Sequence, residues 1–311
     1  MNRKRVELLT YKLRDAGSYD KVVDDFDRFT ATCTAPLIER LLAPLRVDPR
    51  MHVLDIGTGT GAVAFALYRK EKHATPAFVT AIDLSGGMLT YARNRALDLR
   101  LTDRLFFCMM DAEQLAFRSA SFDIVTSLFL LRHLPDPPRA VAEAFRVLRP
   151  GGALSVAIGA GPPLSREAGR YLLARTRAMR DRLLGKRLMG PQHLAEFLDQ
   201  RLGPMHMVSP DFDVEGPHLD GRGLVHTLQR AGFRELLRSW AFAETHWQSP
   251  DDFWQLQCTF SSPIRKRLQA LSPDTVRELR TEYLRLCRRT LERGGKLTYI
   301  TAAYFVRARK P

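Results

Sequence analysis

Two short segments combine glycines and carboxylates at a spacing that suits a nucleoside-type ligand. One runs from Val53 to Gly61 (Val-Leu-Asp-Ile-Gly-Thr-Gly-Thr-Gly), the other from Ala81 to Ser85 (Ala-Ile-Asp-Leu-Ser). Each apolar run carries an acid near its end, which predicts two β-strands, and the glycines predict a turn that opens a helix. Such a turn can approach a ligand closely and offer free N–H groups to an anion. Asp83, after the second strand, can hold a ribose, so we predict an enzyme with a nucleoside-type cofactor.

Two kinds of cofactor compete for this site. A dinucleotide fold requires Gly-x-Gly-x-x-Gly/Ala with an acid about 20 residues further on, a template that Gly57, Gly59, Ala62 and Asp83 fit only loosely. Asp55 argues against a dinucleotide, because its carboxylate would lie beside the pyrophosphate and repel it. The same carboxylate suits the α-ammonium of a bound amino acid. S-adenosylmethionine carries such an ammonium, a carboxylate for the helix N-terminus and a ribose for Asp83.

Three more strands are predicted downstream. The segment 104–117 indicates a third strand and then an acidic turn, where Asp111 could accept from an adenine amino group and the Ala112 N–H could face a ring nitrogen. Residues 121–129 indicate a fourth strand that ends at the site. Residues 146–156 indicate a helix that ends in a Pro-Gly-Gly turn and leads into a fifth strand.

Residues 51–158 resemble the core of the class I S-adenosylmethionine-dependent methyltransferases. They are most similar to the group containing the ubiquinone and menaquinone biosynthesis methyltransferases and many natural-product methyltransferases. The segments 131–136 (Leu-Arg-His-Leu-Pro-Asp) and 146–152 (Arg-Val-Leu-Arg-Pro-Gly-Gly) carry this likeness together with the glycine turn. The resemblance implies an α/β, Rossmann-like fold: a seven-stranded, mostly parallel sheet with flanking helices and an antiparallel last strand.

The resemblance also implies roles for individual residues. The methionine end of the cofactor would contact Asp55 and the turn, the ribose Asp83, the adenine the acidic turn, and the sulfonium region the end of the fourth strand. The full cofactor-binding set is Asp55, Gly57, Thr58, Gly59, Gly61, Asp83, Leu84, Met88, Asp111, Ala112, Leu128 and Phe129.

We divide the chain into four parts: an N-terminal helical lid (1–45), the cofactor-binding core (46–158), a helical cap insertion after the fifth strand (159–222) and the C-terminal part of the core (223–311). The insertion should hold helices over 165–187 and 191–202, and the last part should supply strands over 233–242 and 296–308. By the resemblance, the lid contributes the substrate-facing aromatics Tyr19, Phe26 and Phe29. Simple packing of these rings on the sheet is the alternative.

His133 is our candidate catalytic base and substrate contact, because it follows the fourth strand where the fold places the acceptor. A base is needed only if the acceptor must lose a proton, and a histidine that merely orients the loop is the alternative. We expect methyl transfer to oxygen or carbon of an aromatic, quinone-like or polyketide-like small molecule. A protein that binds S-adenosylmethionine without transferring methyl and an RNA methyltransferase are the rival functions.

Composition narrows these options. The net charge of +14 is compatible with a nucleic-acid partner. Only nine of the 48 basic residues are lysines, and many of the arginines fall on one predicted helix after Pro273. Ion pairs with acids four residues apart on that helix would explain these arginines without a ligand. Four scattered cysteines and no paired histidines fit a reducing compartment and no metal. The chain has no signal peptide or membrane span, so we expect a cytoplasmic protein. The oligomeric state stays open, with a homodimer among the options.

Overall fold

The computed structural model describes residues 3–69, 75–161, 176, 180, 187–190, 192–204 and 219–311. In this part of the chain, helices cover both faces of an eight-stranded sheet of order β3-β2-β1-β4-β5-β8-β6, with β7 paired to β8. The strands are β1 (His52–Ile56), β2 (Phe78–Asp83), β3 (Leu105–Met109), β4 (Phe122–Leu128), β5 (Leu148–Gly159), β6 (Arg187–Gly190), β7 (Arg234–Trp247) and β8 (Lys296–Arg309).

The parallel half of the sheet sets the position of the site. β1 pairs in parallel with β2 and β4, and the sheet continues in parallel to β3 and β5. Val53 and Leu54 are both fully buried on opposite faces of β1, as expected for parallel strands covered by helices on both sides. The carboxyl ends of β1, β2 and β4 therefore meet at one edge, where open α/β sheets bind ligands.

The last strand, β8, runs antiparallel to β5 and β7, which confirms the predicted fold class. β8 pairs with β5 over residues 303–309 and with β7 along nearly its whole length. Its first four residues extend beyond β5, and β6 pairs with them in parallel. The sheet thus gains a strand that the sequence did not predict, inside the segment expected to form a helical cap.

Helices flank the sheet and form the lid. They are α1 (Arg3–Tyr19), α2 (Val23–Cys33), α3 (Ala35–Leu42), α4 (Ala62–Ala66), α5 (Gly86–Asp98), α6 (Pro137–Val147), α7 (Gln192–Leu202), α8 (Gly221–Arg230), α9 (Pro250–Phe260), α10 (Ser262–Gln269) and α11 (Pro273–Glu292), with a 3₁₀ turn over Leu130–His133. The predicted second helix of the insertion agrees with α7. The predicted helix over 165–187 lies almost entirely outside the described residues, and its last residue, Arg187, begins β6.

The N-terminal part is helical, as expected, but it breaks between α1 and α2. Asp20 lies in this break, and its side chain binds the start of α5. Its Oδ1 accepts from the Gly87 N–H (2.9 Å) and from the Ser85 hydroxyl (2.5 Å) at the start of α5. A carboxylate at a helix N-terminus is favourable for the free N–H groups there. The break therefore docks the lid onto the core.

A cluster of packed apolar side chains joins the lid to the C-terminal helices. Phe29 of α2, Phe253 of α9 and Tyr283 of α11 are all fully buried in it. The Gln257 side chain, also fully buried, donates to the Tyr283 hydroxyl (2.8 Å) and accepts from the Leu194 N–H (3.2 Å). Satisfied polar groups of this kind fix how the helices around them pack. The lid thus rests on a rigid base.

Charged side chains on α11 pair at a spacing of three residues within the helix and with side chains of other helices, whereas the sequence predicted pairs four residues apart. Arg277 pairs with Asp274, Arg280 with Asp251 of α9, and Glu282 with Arg201 of α7. The acidic partners account for part of the basic surface without a ligand. No helix among the described residues is long and apolar enough to cross a bilayer.

Ser272 caps α11, as the Ser-Pro-Asp sequence predicts, by accepting from the Thr275 N–H at 3.2 Å. We expect Ser272→Ala to lower the free energy of unfolding by about 1 kcal/mol, because an N–H at the helix start loses its partner. Urea unfolding followed by circular dichroism measures this. Thr281→Ala is the matched control: its hydroxyl lies mid-helix on the same surface and donates only to the Arg277 carbonyl, so a comparable loss there would contradict the capping role.

Candidate active site

A cavity of about 430 Å³ opens at the carboxyl edge of the parallel strands. The turns after β1, β2 and β4 form its floor, and α1 and α2 cover it. β8 and the end of α9 close one side. The residues that line it include Lys12, Asp15, Tyr19, Phe26, Gly57, Thr58, Gly59, Asp83, Leu84, Met88, Ala112, Leu128, Phe129, His133, Phe260 and Tyr299.

The turn after β1 takes a left-handed conformation that favours glycine. Gly57 has φ of +72° and Gly59 has φ of +55°. A Cβ on Gly57 would lie 2.8 Å from the Cβ of Leu130, and one on Gly59 would lie 3.3 Å from the Phe26 ring. The bare backbone therefore lets the loop after β4 and the lid helix α2 approach the turn. Gly61, in the same conformation, caps α4 behind the turn and does not line the cavity.

Asp83 ends β2 and ties the two turns together. Its Oδ2 accepts from the Gly59 N–H and its Oδ1 from the Ser85 N–H, each at 2.9 Å. Burial raises the pKa of this carboxyl, against the lowering effect of the two backbone donors. A carboxylate has about four acceptor positions, so both oxygens can still accept from ribose hydroxyls. Its position matches the prediction.

Asp55 lies in the sheet beneath the turn and not on the cavity wall. Its side chain is 1% exposed, and Oδ1 accepts from the Thr126 hydroxyl at 2.7 Å. The other oxygen, Oδ2, is buried without a hydrogen-bond partner. Burial raises the pKa of Asp55 to about 6. An orphaned carboxylate oxygen favours a cation close by.

The acidic turn after β3 reaches the cavity through backbone more than through side chain. Ala112 lines the cavity and Asp111 does not. Asp111 instead accepts from the Glu113 N–H (2.9 Å) and from the Lys12 ammonium (2.8 Å). Lys12 also pairs with the buried Glu113 carboxylate. The predicted adenine-binding acid is thus covered by a lysine of the lid.

The end of β4 faces the middle of the cavity. Leu128 and Phe129 line it, as predicted. Phe129 has φ of +65°, an uncommon conformation for a bulky residue, and its N–H donates to the Ala157 carbonyl at 2.9 Å. Conformations of this kind persist where surrounding contacts hold them, and they cluster at functional sites. The strained residue directs the following turn, Leu130–His133, back over Gly57.

Two of the three predicted lid aromatics line the cavity. Tyr19 and Phe26 meet edge to face with ring centres 5.8 Å apart, and Phe26 contacts Phe260 in the same way. Phe29 does not line the cavity: it is fully buried against Trp247 and Phe260 in the cluster beneath the lid. Phe26 and Thr30, four residues apart, line the cavity, and Phe29 lies one position off that face of α2.

His133 lies on the cavity wall at the end of the 3₁₀ turn, as predicted. Its side chain is 40% exposed, and its ring packs against Tyr19 with centres 5.9 Å apart. Nδ1 lies 3.2 Å from Oδ2 of Asp15. Burial raises the pKa of Tyr19 to about 12, so that phenol stays protonated near neutral pH.

Sequence reasoning missed several lining residues. Lys12 and Asp15 share one face of α1 with Tyr19, at a spacing of three and seven residues that could have revealed them. Phe260 and Tyr299 come from the end of α9 and from β8, and no local motif marks them. Among the described residues, no group of histidine, cysteine, aspartate and glutamate side chains could hold a metal ion.

Comparison with known proteins assigns the core. Residues 54–156 match the family described as "Methyltransferase domain". The ubiquinone/menaquinone biosynthesis C-methyltransferase UbiE of Brucella anthropi is 42% identical over 111 residues, which are 36% of this chain and 41% of that protein. UbiE of Rhizobium rhizogenes is 40% identical over 111 residues, 36% of this chain and 42% of that protein. The chain thus spans about two fifths of the length of these relatives.

Solved structures share the fold at low sequence identity. The YcgJ protein of Bacillus subtilis has a TM-score of 0.53 at 16% identity, over 88% of this chain and 97% of that one. The [4+2]-cyclase SpnF has a TM-score of 0.51 at 20% identity, over 89% and 81%. The Rossmann-like fold is therefore confirmed. The family match agrees with the predicted methyltransferase superfamily over residues 54–156, and S-adenosylmethionine stays the predicted cofactor.

The residues present fit this cofactor. The glycine turn leaves a cradle that a side chain would fill. Asp83 would hold the ribose hydroxyls, and the unpartnered oxygen of Asp55 would attract the ammonium.

We expect Asp83→Ala to weaken S-adenosylmethionine binding at least tenfold, or about 1.4 kcal/mol, because the ribose loses its acceptor and the Gly59 N–H loses its partner. Isothermal titration calorimetry measures this affinity. Asp98→Ala, at the exposed end of α5, is the control and should bind as the wild type does. Unchanged affinity in Asp83→Ala would contradict this position for the cofactor.

The raised pKa of Asp55, about 6, predicts that cofactor binding depends on pH. At about pH 5 the free protein holds this carboxyl protonated, and at about pH 7 it is ionised and attracts the cofactor's ammonium. Affinity should therefore rise across this range, with a proton released on binding near pH 6. Calorimetry in two buffers of different ionisation enthalpy measures the proton. Asp55→Asn, checked for folding by thermal melting, should show neither effect; an unchanged proton release in it would assign the titration elsewhere.

Proposed function

We propose that this chain transfers a methyl group from S-adenosylmethionine to oxygen or carbon of a small aromatic, quinone-like or polyketide-like acceptor. One observation carries the proposal: the cofactor residues and the lid residues line one and the same cavity. Gly57, Gly59 and Asp83 line it together with Tyr19 and His133. The enclosing lid suits a small acceptor better than an RNA chain, and the UbiE relatives are named as methyltransferases of quinone biosynthesis.

The protein's main contribution to this reaction is alignment. S-adenosylmethionine supplies an electrophilic methyl group on a sulfonium centre. The glycine turn and Asp83 fix the cofactor from one side, and Tyr19, Phe26 and Phe260 fix a planar acceptor from the other. Holding the acceptor atom in line with the methyl carbon removes much of the entropic barrier. The covering helices α1 and α2 exclude water from the cavity.

His133 is placed to take a proton from the acceptor. A hydroxyl that becomes a methyl ether must lose its proton as the new bond forms, and the products are the methylated acceptor, S-adenosylhomocysteine and that proton. Tyr19 cannot serve as the base near neutral pH because burial raises its pKa to about 12. Histidine is the side chain most often used as a general base, and His133 lies on the cavity wall.

A second candidate is a reaction in the same cavity without methyl transfer. The [4+2]-cyclase SpnF has this fold, so the fold does not separate the two activities. The two activities differ in whether the acceptor atom points at the methyl carbon. Identifying the product distinguishes them.

Native mass spectrometry of the purified protein, followed by incubation with S-adenosylmethionine and a panel of phenols and quinols, tests the proposal. We expect a bound adenosyl ligand, S-adenosylhomocysteine as product and one acceptor that gains a single methyl group. Asp83→Ala, tested with the same panel, should lose the product. An acceptor that is converted without S-adenosylhomocysteine would favour the second candidate. Absence of any adenosyl ligand would contradict both.

A further inference from the structure

The carboxylate of Asp15 on the lid helix α1 faces the candidate base on the core. Its Oδ2 lies 3.2 Å from Nδ1 of His133, 118 residues away in the sequence. Asp15 lines the same cavity, and its side chain is 9% exposed. A buried carboxylate beside an imidazole in a cavity needs a physical account, because burying an acid is costly unless it is well partnered.

Two groups on α10 hold the Asp15 carboxylate in place. Its Oδ1 accepts from the Ser262 hydroxyl (2.5 Å) and from the Lys266 ammonium (2.8 Å). Burial alone would raise the pKa of Asp15, but the hydrogen bonds from His133, Lys266 and Ser262 outweigh it and hold the pKa well below its usual range. Asp15 is therefore an anion with a fixed orientation, and Oδ2 is the oxygen left for the histidine.

An acceptor at Nδ1 decides which nitrogen of a neutral imidazole carries the proton. A carboxylate accepts only, so Nδ1 must be the donor and Nε2 keeps its lone pair. In the described part of the chain, no group lies within hydrogen-bonding distance of Nε2, and the ring is part of the cavity wall. Asp83 and Tyr19 also face this histidine, but neither contacts Nδ1.

We propose that Asp15 is a positioning residue for His133: it holds the imidazole in the Nδ1–H form, so that Nε2 can accept the acceptor's proton. The proposal rests on the proposed function, because it assigns how the base of that reaction is prepared. The base is complete only while α1 covers the cavity. Docking of the lid and assembly of the base are thereby one event.

The proton balance of the step is simple. The acceptor hydroxyl gives its proton to Nε2 as its oxygen bonds to the methyl carbon, and the carbon–sulfur bond breaks with its electron pair going to sulfur. His133 becomes an imidazolium that Asp15 stabilises, and it later releases the proton to water. No oxidant, reductant or metal is needed.

The tautomer of His133 can be measured without knowing the acceptor. In full-length protein labelled with ¹⁵N-histidine, two-bond ¹⁵N–¹H spectra at about pH 8.5, where an ordinary imidazole is neutral, distinguish Nδ1–H from Nε2–H. His133→Gln identifies the signal by its loss. We expect the Nδ1–H form in the wild type. In Asp15→Asn the amide can donate to Nδ1, so the Nε2–H form should replace it. A wild-type His133 in the Nε2–H form would overturn the proposal, whatever the variants do.

Asp20→Asn is the matched control, since Asp20 also anchors the lid but contacts only the start of α5. It should keep the wild-type tautomer. If Asp15→Asn and Asp20→Asn gave the same spectra, Asp15 would be a lid anchor and nothing more.

The activity of the proposed function is a separate readout. With an acceptor that is methylated at a hydroxyl, Asp15→Asn should lower kcat about a hundredfold or more and leave cofactor affinity within about twofold. An unchanged kcat would overturn the positioning role. If no acceptor is methylated at all, the proposed function fails, and the tautomer measurement still decides the arrangement of Asp15 and His133.

Discussion

Asp83 accepts hydrogen bonds from the backbone N–H groups of Gly59 and Ser85, and these two bonds fix the turns after β1 and β2 against each other. The rest of the site depends on that junction. Ser85 caps the start of α5, and Asp20 of the lid accepts hydrogen bonds from Ser85 and Gly87 there. The glycine turn, in contact with Phe26, supports α2. One carboxylate at the end of a strand thus positions the cofactor turn, the helix after it and, through them, the cover of the cavity.

Several acidic side chains of the lid bind the core and the C-terminal helices. Asp15, Asp20 and Asp27 accept hydrogen bonds from core or C-terminal side chains, and Lys12 joins the acidic turn after β3. Each of these hydrogen bonds is directional, so together they favour one orientation of the lid on the core. Beneath it, the packed cluster around Phe29 and Tyr283 provides the apolar support.

The sequence predicted the parts of the site that local chemistry dictates. A glycine turn between apolar runs and an acid after the second strand leave few alternatives, and the structure places Gly57, Gly59 and Asp83 accordingly. Contacts between distant segments were not predictable in this way. The pairing of Asp15 with His133 joins residues 118 apart. Likewise, β6 pairs with the part of β8 that extends beyond β5. Phe29 shows the same limit: it lies one position from the cavity-lining Thr30 and packs against Trp247 instead.

A crystal structure of the protein with S-adenosylhomocysteine would show how the cavity holds its cofactor. We expect ribose hydroxyls on the Asp83 carboxylate, the amino-acid end along the glycine turn above Asp55, and α1 in place over the ligand with Asp15 against His133. A ligand bound outside this cavity, or a ribose turned away from Asp83, would contradict this expectation.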